Sequence, residues 1–197
     1  DDSNVKMAIK NSLFIILVVQ FFNCAGTNYK KLSIENPAKL VAVQDSLLLV
    51  SGDNQRIRDA LVTANNSVAK RYLKAGDLKS AVQYFNKSTS IDGDNKDSKF
   101  GLLIAEGRIL VKKGNKNGIW DAIEKFSKAS SLFPRNGEPF YWIAQSYTKL
   151  GDTEFDLILE SYEKSLALDL DEGLRLEVEK NYKIAKNRKS KLDSFWK

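Results

Sequence analysis

The residue types able to do chemistry in this chain are few and unevenly placed. There is no histidine among its 197 residues. That removes Ser–His and Cys–His nucleophilic mechanisms, His-ligated metals and His general-base chemistry together. The 25 Asp and Glu leave carboxylate-only catalysis open. Yet no pair sits in a local sequence that would raise a pKa, and carboxylates on a helical face are ordinarily solvated. The run Asp92-Gly93-Asp94-Asn95-Lys96-Asp97 looks like half a calcium loop, but Lys96 breaks the ligand order and no Glu closes it. The one thiol, Cys24, follows closely on an apolar run. Binding, without catalysis, metal or cofactor, is the expected work of this chain.

What must position the binding residues is a repeated helical hairpin. Residues 62–171 carry one pattern three times, at 34 to 37 residues per copy. Each first helix ends in a Lys followed shortly by Gly: Lys74 and Gly76, Lys112 and Gly114, Lys149 and Gly151. Each second helix carries small and aromatic residues at fixed offsets: Ala81, Phe85 and Ser88, then Ala122, Phe126 and Ala129, then Ile158, Tyr162 and Ser165. One hairpin cannot bury its apolar face alone, so a period of this length predicts stacked units in a curved array. Phe85, Phe126 and Tyr162 are expected in the core, filling the gap between paired helices. Upstream, Pro37 opens a helix over 38–50, and Asp53 is expected to cap a longer one bearing Ile57, Leu61, Ala64, Val68 and Tyr72 on one side.

The three copies resemble tetratricopeptide repeats. Repeat 1 (62–95) supplies Ala69, Tyr72, Gly76, Ala81, Phe85 and Ser88. Repeat 2 (100–136) supplies Gly107, Leu110, Gly114, Ala122, Phe126, Ala129 and Pro134, with three extra residues in its turn, Asn115 to Gly118. Repeat 3 (137–171) supplies Ala144, Tyr147, Gly151, Tyr162 and Ser165, with two extra residues and Ile158 in place of Ala. Residues 38–61 read as a degenerate leading pair. The resemblance implies an all-α, right-handed superhelical array of antiparallel hairpins with a C-terminal capping helix. It also implies a concave groove lined by the first helices. Carried over by position, the groove would show Asn66, Lys70 and Lys74, then Ile104, Arg108 and Lys112, then Tyr141, Gln145 and Lys149. Such a trough suits a partner protein's acidic peptide, helix or free C-terminal carboxylate. The three lysines also have a purely local explanation, since a cation in the last turn favours the helix dipole.

The first residues read as an address. Leu13 to Phe22 is a ten-residue apolar run behind Lys6 and Lys10, with Met7 as a candidate start. A spanning helix needs about 20 residues, so the run predicts a secretory signal. With Cys24-Ala25-Gly26 it resembles a bacterial lipoprotein signal, although Phe21 and Asn23 stand where Leu and Gly or Ala are usual. That resemblance implies cleavage before Cys24 and lipidation of its thiol by acyl chains such as palmitate. It places the chain on the periplasmic side of the envelope, at the outer membrane rather than the inner because Ala25 follows. An ordinary cleaved signal and an uncleaved anchor are the alternatives. Residues 25–36 are polar and unpatterned, which predicts a flexible tether.

The net charge of +6 is concentrated at the other end, where 174–197 hold eight Lys or Arg against three Asp or Glu. The expected capping helix packs Leu174, Val178, Tyr182, Ala185, Leu192 and Phe195 inward. Its outer side offers Lys180, Lys183, Arg188, Lys189 and Lys191 as a basic surface for solvent, anionic headgroups or an acidic partner. Nothing in the spacing of basic and aromatic residues points to nucleic acid. Three functions compete: an envelope adaptor or assembly factor, a structural subunit with an empty groove, and a carbohydrate-binding or enzyme-accessory domain using Trp120 and Tyr141.

Overall fold

The computed structural model describes residues 28–151 and 154–195. The apolar run, the signal and Cys24 lie outside them. Among the described residues the chain is helical apart from one isolated parallel bridge, Asn136 to Asp169. It is an array of antiparallel hairpins closed by a C-terminal helix, the fold class expected from the period.

Three short helices lead: α1 (Tyr29–Glu35), α2 (Pro37–Ala42) and α3 (Gln44–Ser51). The hairpins follow as α4 (Gln55–Ala75) with α5 (Leu78–Ile91), α6 (Lys96–Lys113) with α7 (Lys116–Leu132), and α8 (Glu138–Leu150) with α9 (Phe155–Leu166). Helix α10 (Glu172–Phe195) closes the row. Local chemistry sets these limits. Gly76 (φ +80°) and Gly114 (φ +73°) end α4 and α6 in the left-handed region, which only glycine adopts without strain. The next residue starts the return helix, with Asp77 accepting from Ser80 N and Asn115 from Gly118 N.

That geometry corrects the reading of repeat 2. Its turn is as short as that of repeat 1, and the extra residues lie in the helix, which has 17 residues in α7 against 14 in α5. Asn115 caps one helical turn early, and the added turn keeps Ala122 and Phe126 in register for burial.

The N-terminal reading also changes. The expected tether is helical over 29–35, because Asn28 caps α1 while Tyr29 and Leu32 pack on the α2–α4 core and Ser33 is buried. A helix of seven residues is marginal alone and stands on this packing. The single helix expected over 38–50 is broken at Val43. The cap of α4 is Asn54, not Asp53; its side chain accepts from Arg56 N and Ile57 N. Tyr72 is partly exposed and stacks on Tyr84, rather than completing the buried stripe.

Phe85, Phe126 and Tyr162 are buried, as their spacing implied. So is Ile158, where an Ala was usual. The first helices α4, α6 and α8 touch one another along the row, while the second helices share no comparable contact among the described residues. A row packed more closely on its first-helix side curves with those helices inside, and the groove belongs there.

Candidate functional site

The structure places the nine expected groove residues in quite different settings. Lys74, Lys112 and Lys149 are exposed at equivalent positions, in the last turns of α4, α6 and α8. Lys70 is exposed and paired with Asp97 at 3.6 Å. Arg108 is half-buried, donates to Leu73 O at 3.2 Å, and lies 4.5 Å from the centre of the Trp142 ring. Burial pulls its pKa down, and the charge of Glu138 opposes this. Gln145 donates to Tyr162 Oη at 2.7 Å and faces its own hairpin.

Three expected lining residues are structural. Ile104 is fully buried against Phe126 and Ile143, so it offers no surface. Tyr141 is 2% exposed; its hydroxyl donates to Glu177 Oε1 at 2.7 Å and accepts from Asn181 Nδ2 at 3.3 Å. It pins α8 to α10. Burial, then the Glu177 carboxylate, pushes its pKa up, so it stays a neutral donor. Asn66 is buried too, accepting from Ser98 Oγ at 2.9 Å and donating to Asn95 at 3.3 Å. These bonds tie the entry of α6 to α4.

The structure brings other residues together instead. Between α4, α6 and α8 lies a pocket of ≈ 280 Å³ lined by Lys70, Leu73, Asp97, Phe100, Phe133 and Glu138 among others. Phe100 and Phe133 meet edge to face at 5.3 Å. Glu138 Oε1 accepts from Trp142 Nε1–H at 3.2 Å. Burial pushes the Glu138 carboxyl up; the Trp142 bond and the Arg108 charge work the other way. The inner face is therefore bipolar, with lysines at the C-terminal ends of its helices and the carboxylates of Asp97 and Glu138 at the N-terminal ends. Glu138 was missed although it stands three residues before Tyr141, one turn back on the helix. Phe100 and Phe133 come from different elements, and no local spacing links them.

The basic surface of α10 is smaller than expected. Lys180, Lys183 and Lys191 are exposed, but Arg188 lies over the Phe155 ring at 5.7 Å and Lys189 bonds Asp156. Both therefore brace α10 against α9. Val178 and Ala185 are buried as expected, while Leu192 and Phe195 are exposed. Trp120, 45% exposed, meets Tyr147 at an interplanar angle of 80°. With Tyr141 in the core, the two aromatics expected of a sugar platform do not share a face.

Bent arrays of helical hairpins with an open inner face define a class of protein-binding scaffold. Residues 62–95 match the tetratricopeptide repeat family. No curated protein matches the chain. Two solved structures are similar in outline. MamA 41-end from Desulfovibrio magneticus RS-1 is 15% identical with a TM-score of 0.42, over 82% of this chain and 96% of that one. MamA from AMB-1 is 18% identical with a TM-score of 0.41, over 86% of this chain and 90% of that one.

Proposed function

We propose that this protein is a membrane-tethered adaptor or assembly factor of the bacterial cell envelope, holding a peptide or helix of a partner protein in the groove of α4, α6 and α8. The observation that carries the binding role is the bipolar inner face with a formed pocket beside Asp97 and Glu138. An acidic stretch of the partner would face Lys74, Lys112 and Lys149. The tether rests on the sequence, on Leu13–Phe22 followed by Cys24. A thioether-linked lipid at that cysteine carrying two or more acyl chains would anchor the chain stably, where a single chain would not.

Both halves can be tested in one strain. A photo-crosslinking side chain at Lys112 should give one discrete adduct, and the same group at Lys128, exposed on α7, should give none. Equal adducts at both positions would sink the groove reading. Labelled fatty acid should mark the wild type and spare Cys24→Ser; label on neither would remove the lipid tether.

One observation favours a second reading, a structural subunit whose array is capped by neighbouring chains. Leu49 and Val50 at one end, and Leu176 and Ile184 at the other, are exposed at 80%, 58%, 62% and 46%. Crosslinks from these ends, and not from Lys112, would decide for it.

A further inference from the structure

We propose that the pocket between α4, α6 and α8 is a subsite for one basic side chain of the partner. An Arg or Lys would lay its stem along Leu73, Phe100 and Phe133 and bring its charge to Glu138 and Asp97. The proposal rests on the groove reading and deepens it, by naming what the partner must carry at this point.

Shape comes first. At ≈ 280 Å³ the pocket takes a single long side chain and cannot take a helix. Its walls combine apolar rings with the carboxylates of Asp97 and Glu138 and with Lys70, which is paired with Asp97. This suits an occupant that is apolar along its length and charged at its tip. Next is charge. Glu138 lies in the wall and receives the indole N–H of Trp142, a neutral donor. The nearby cation Arg108 makes its contacts with Leu73 O and the face of Trp142, so its charge acts on Glu138 without a direct hydrogen bond. Among the described residues Asp97 pairs with Lys70 at 3.6 Å, and both side chains are more than half exposed. An exposed pair of that length is weak and exchangeable. An incoming cation would therefore meet one poorly solvated carboxylate and one loosely held one. An apolar tip would strip Glu138 of more water without compensation, and an acidic tip would place like charges together. The rings add to the preference, since a cation is attracted to an aromatic face.

The experiment uses the full chain in lipid nanodiscs with 5-fluorotryptophan, whose Trp142 signal is assigned by Trp142→Phe. N-acetyl-arginine amide, N-acetyl-leucine amide and N-acetyl-glutamate amide are titrated in turn. The arginine probe should shift the Trp142 signal saturably and leave Trp120 unmoved. Glu138→Gln should raise its half-saturation about tenfold. Lys128→Ala, on the outer helix α7 and away from both pocket and groove, should change nothing. A response equal for all three probes, no response to any, or one indifferent to Glu138→Gln would overturn the subsite. Saturation by the glutamate probe instead would assign the pocket to an acidic residue. The Lys112 crosslink separates the two levels: an adduct there with no arginine response leaves the groove standing and removes only the subsite.

Discussion

The ring of Phe85 occupies the space that a side chain on Gly101 would need. A Cβ built on Gly101 would lie 2.1 Å from Phe85 Cζ, so the first helix of repeat 2 is seated on the second helix of repeat 1 through a missing methyl group. Gly101→Ala forces that ring or the helix to move, and overpacking of this kind costs roughly 1–3 kcal/mol. Phe85→Leu should relieve part of it. In a denaturation series the double variant should lose less stability than the two single losses added together. Strict additivity would mean that the ring is not what excludes the methyl.

Phe126 tests the packing within one hairpin. It is fully buried against Gly107, where a Cβ would come within 2.5 Å of its Cε1. Phe126→Ala should cost about 3–5 kcal/mol by chemical denaturation, because the hairpin cannot collapse onto the void. Because Ile104 and Ala122 share that cluster, the loss should reach beyond α7. Hydrogen exchange should rise in α6 as well as in α7. A loss confined to α7 would show that the hairpins are less cooperative than their contacts imply.

These two predictions lie where the sequence was most readable. A first helix, a Gly and a capped second helix are local signals, and Phe85, Phe126 and Tyr162 were legible because burial recurs with the period. Residues whose role is set by another hairpin were not. Tyr141 read as a groove aromatic because its bond partner, Glu177, stands 36 positions away. Asp97, Phe100, Phe133 and Glu138 share no spacing; only stacking makes them one pocket. Helix α1 hid for a different reason. Its lysines make Tyr29–Glu35 look polar, while the faces of Tyr29, Leu32 and Ser33 become meaningful only against α4.

Ser165 allows a single-bond test of how the two helices of one hairpin are joined. Its hydroxyl donates to Gly137 O at 2.8 Å, and Ser88 makes the matching bond to Val62 O at 3.2 Å. The sequence separations are 28 and 26 residues, so the bond is preserved across the two extra residues of repeat 3. Ser165→Ala removes one of two donors to that carbonyl, which still accepts from Tyr141 N at 3.2 Å, and should cost about 0.5–1.5 kcal/mol. A loss in thermal midpoint no larger than that of a surface substitution would mean that the Tyr141 N–H alone satisfies Gly137 O.

Glu138 gives stability a definite dependence on pH. Burial raises its pKa in the folded state above the unfolded value, so the native form binds a proton that the unfolded form releases. Its contribution is therefore most favourable below the unfolded pKa and declines as pH rises through the folded one. Above that point the whole penalty of a poorly solvated charge remains. Glu138→Gln removes the penalty and can still accept from Trp142. The variant should be more stable than wild type at neutral pH, with the difference shrinking as the solution is acidified through the carboxylate range. A difference independent of pH between acid and neutral would show that Glu138 titrates normally.

Tyr141→Phe asks whether the closing helix is held as firmly as the hairpins. The phenol bonds Glu177 and Asn181, both on α10, and its raised pKa keeps it a donor through the alkaline range. Helix α10 otherwise buries only Val178 and Ala185 fully among its described residues. A bond to a charged acceptor contributes roughly 1.5–3 kcal/mol, and its share is large for an element with so small an apolar seat. The substitution should raise hydrogen exchange along α10 while leaving α4 to α7 near wild type. Since Lys189–Asp156 and Arg188 over Phe155 hold the far end, the increase should be greatest around Glu177 and Asn181. A uniform increase across all hairpins would instead make α10 part of one cooperative unit, and closure of the array would then be inseparable from its folding.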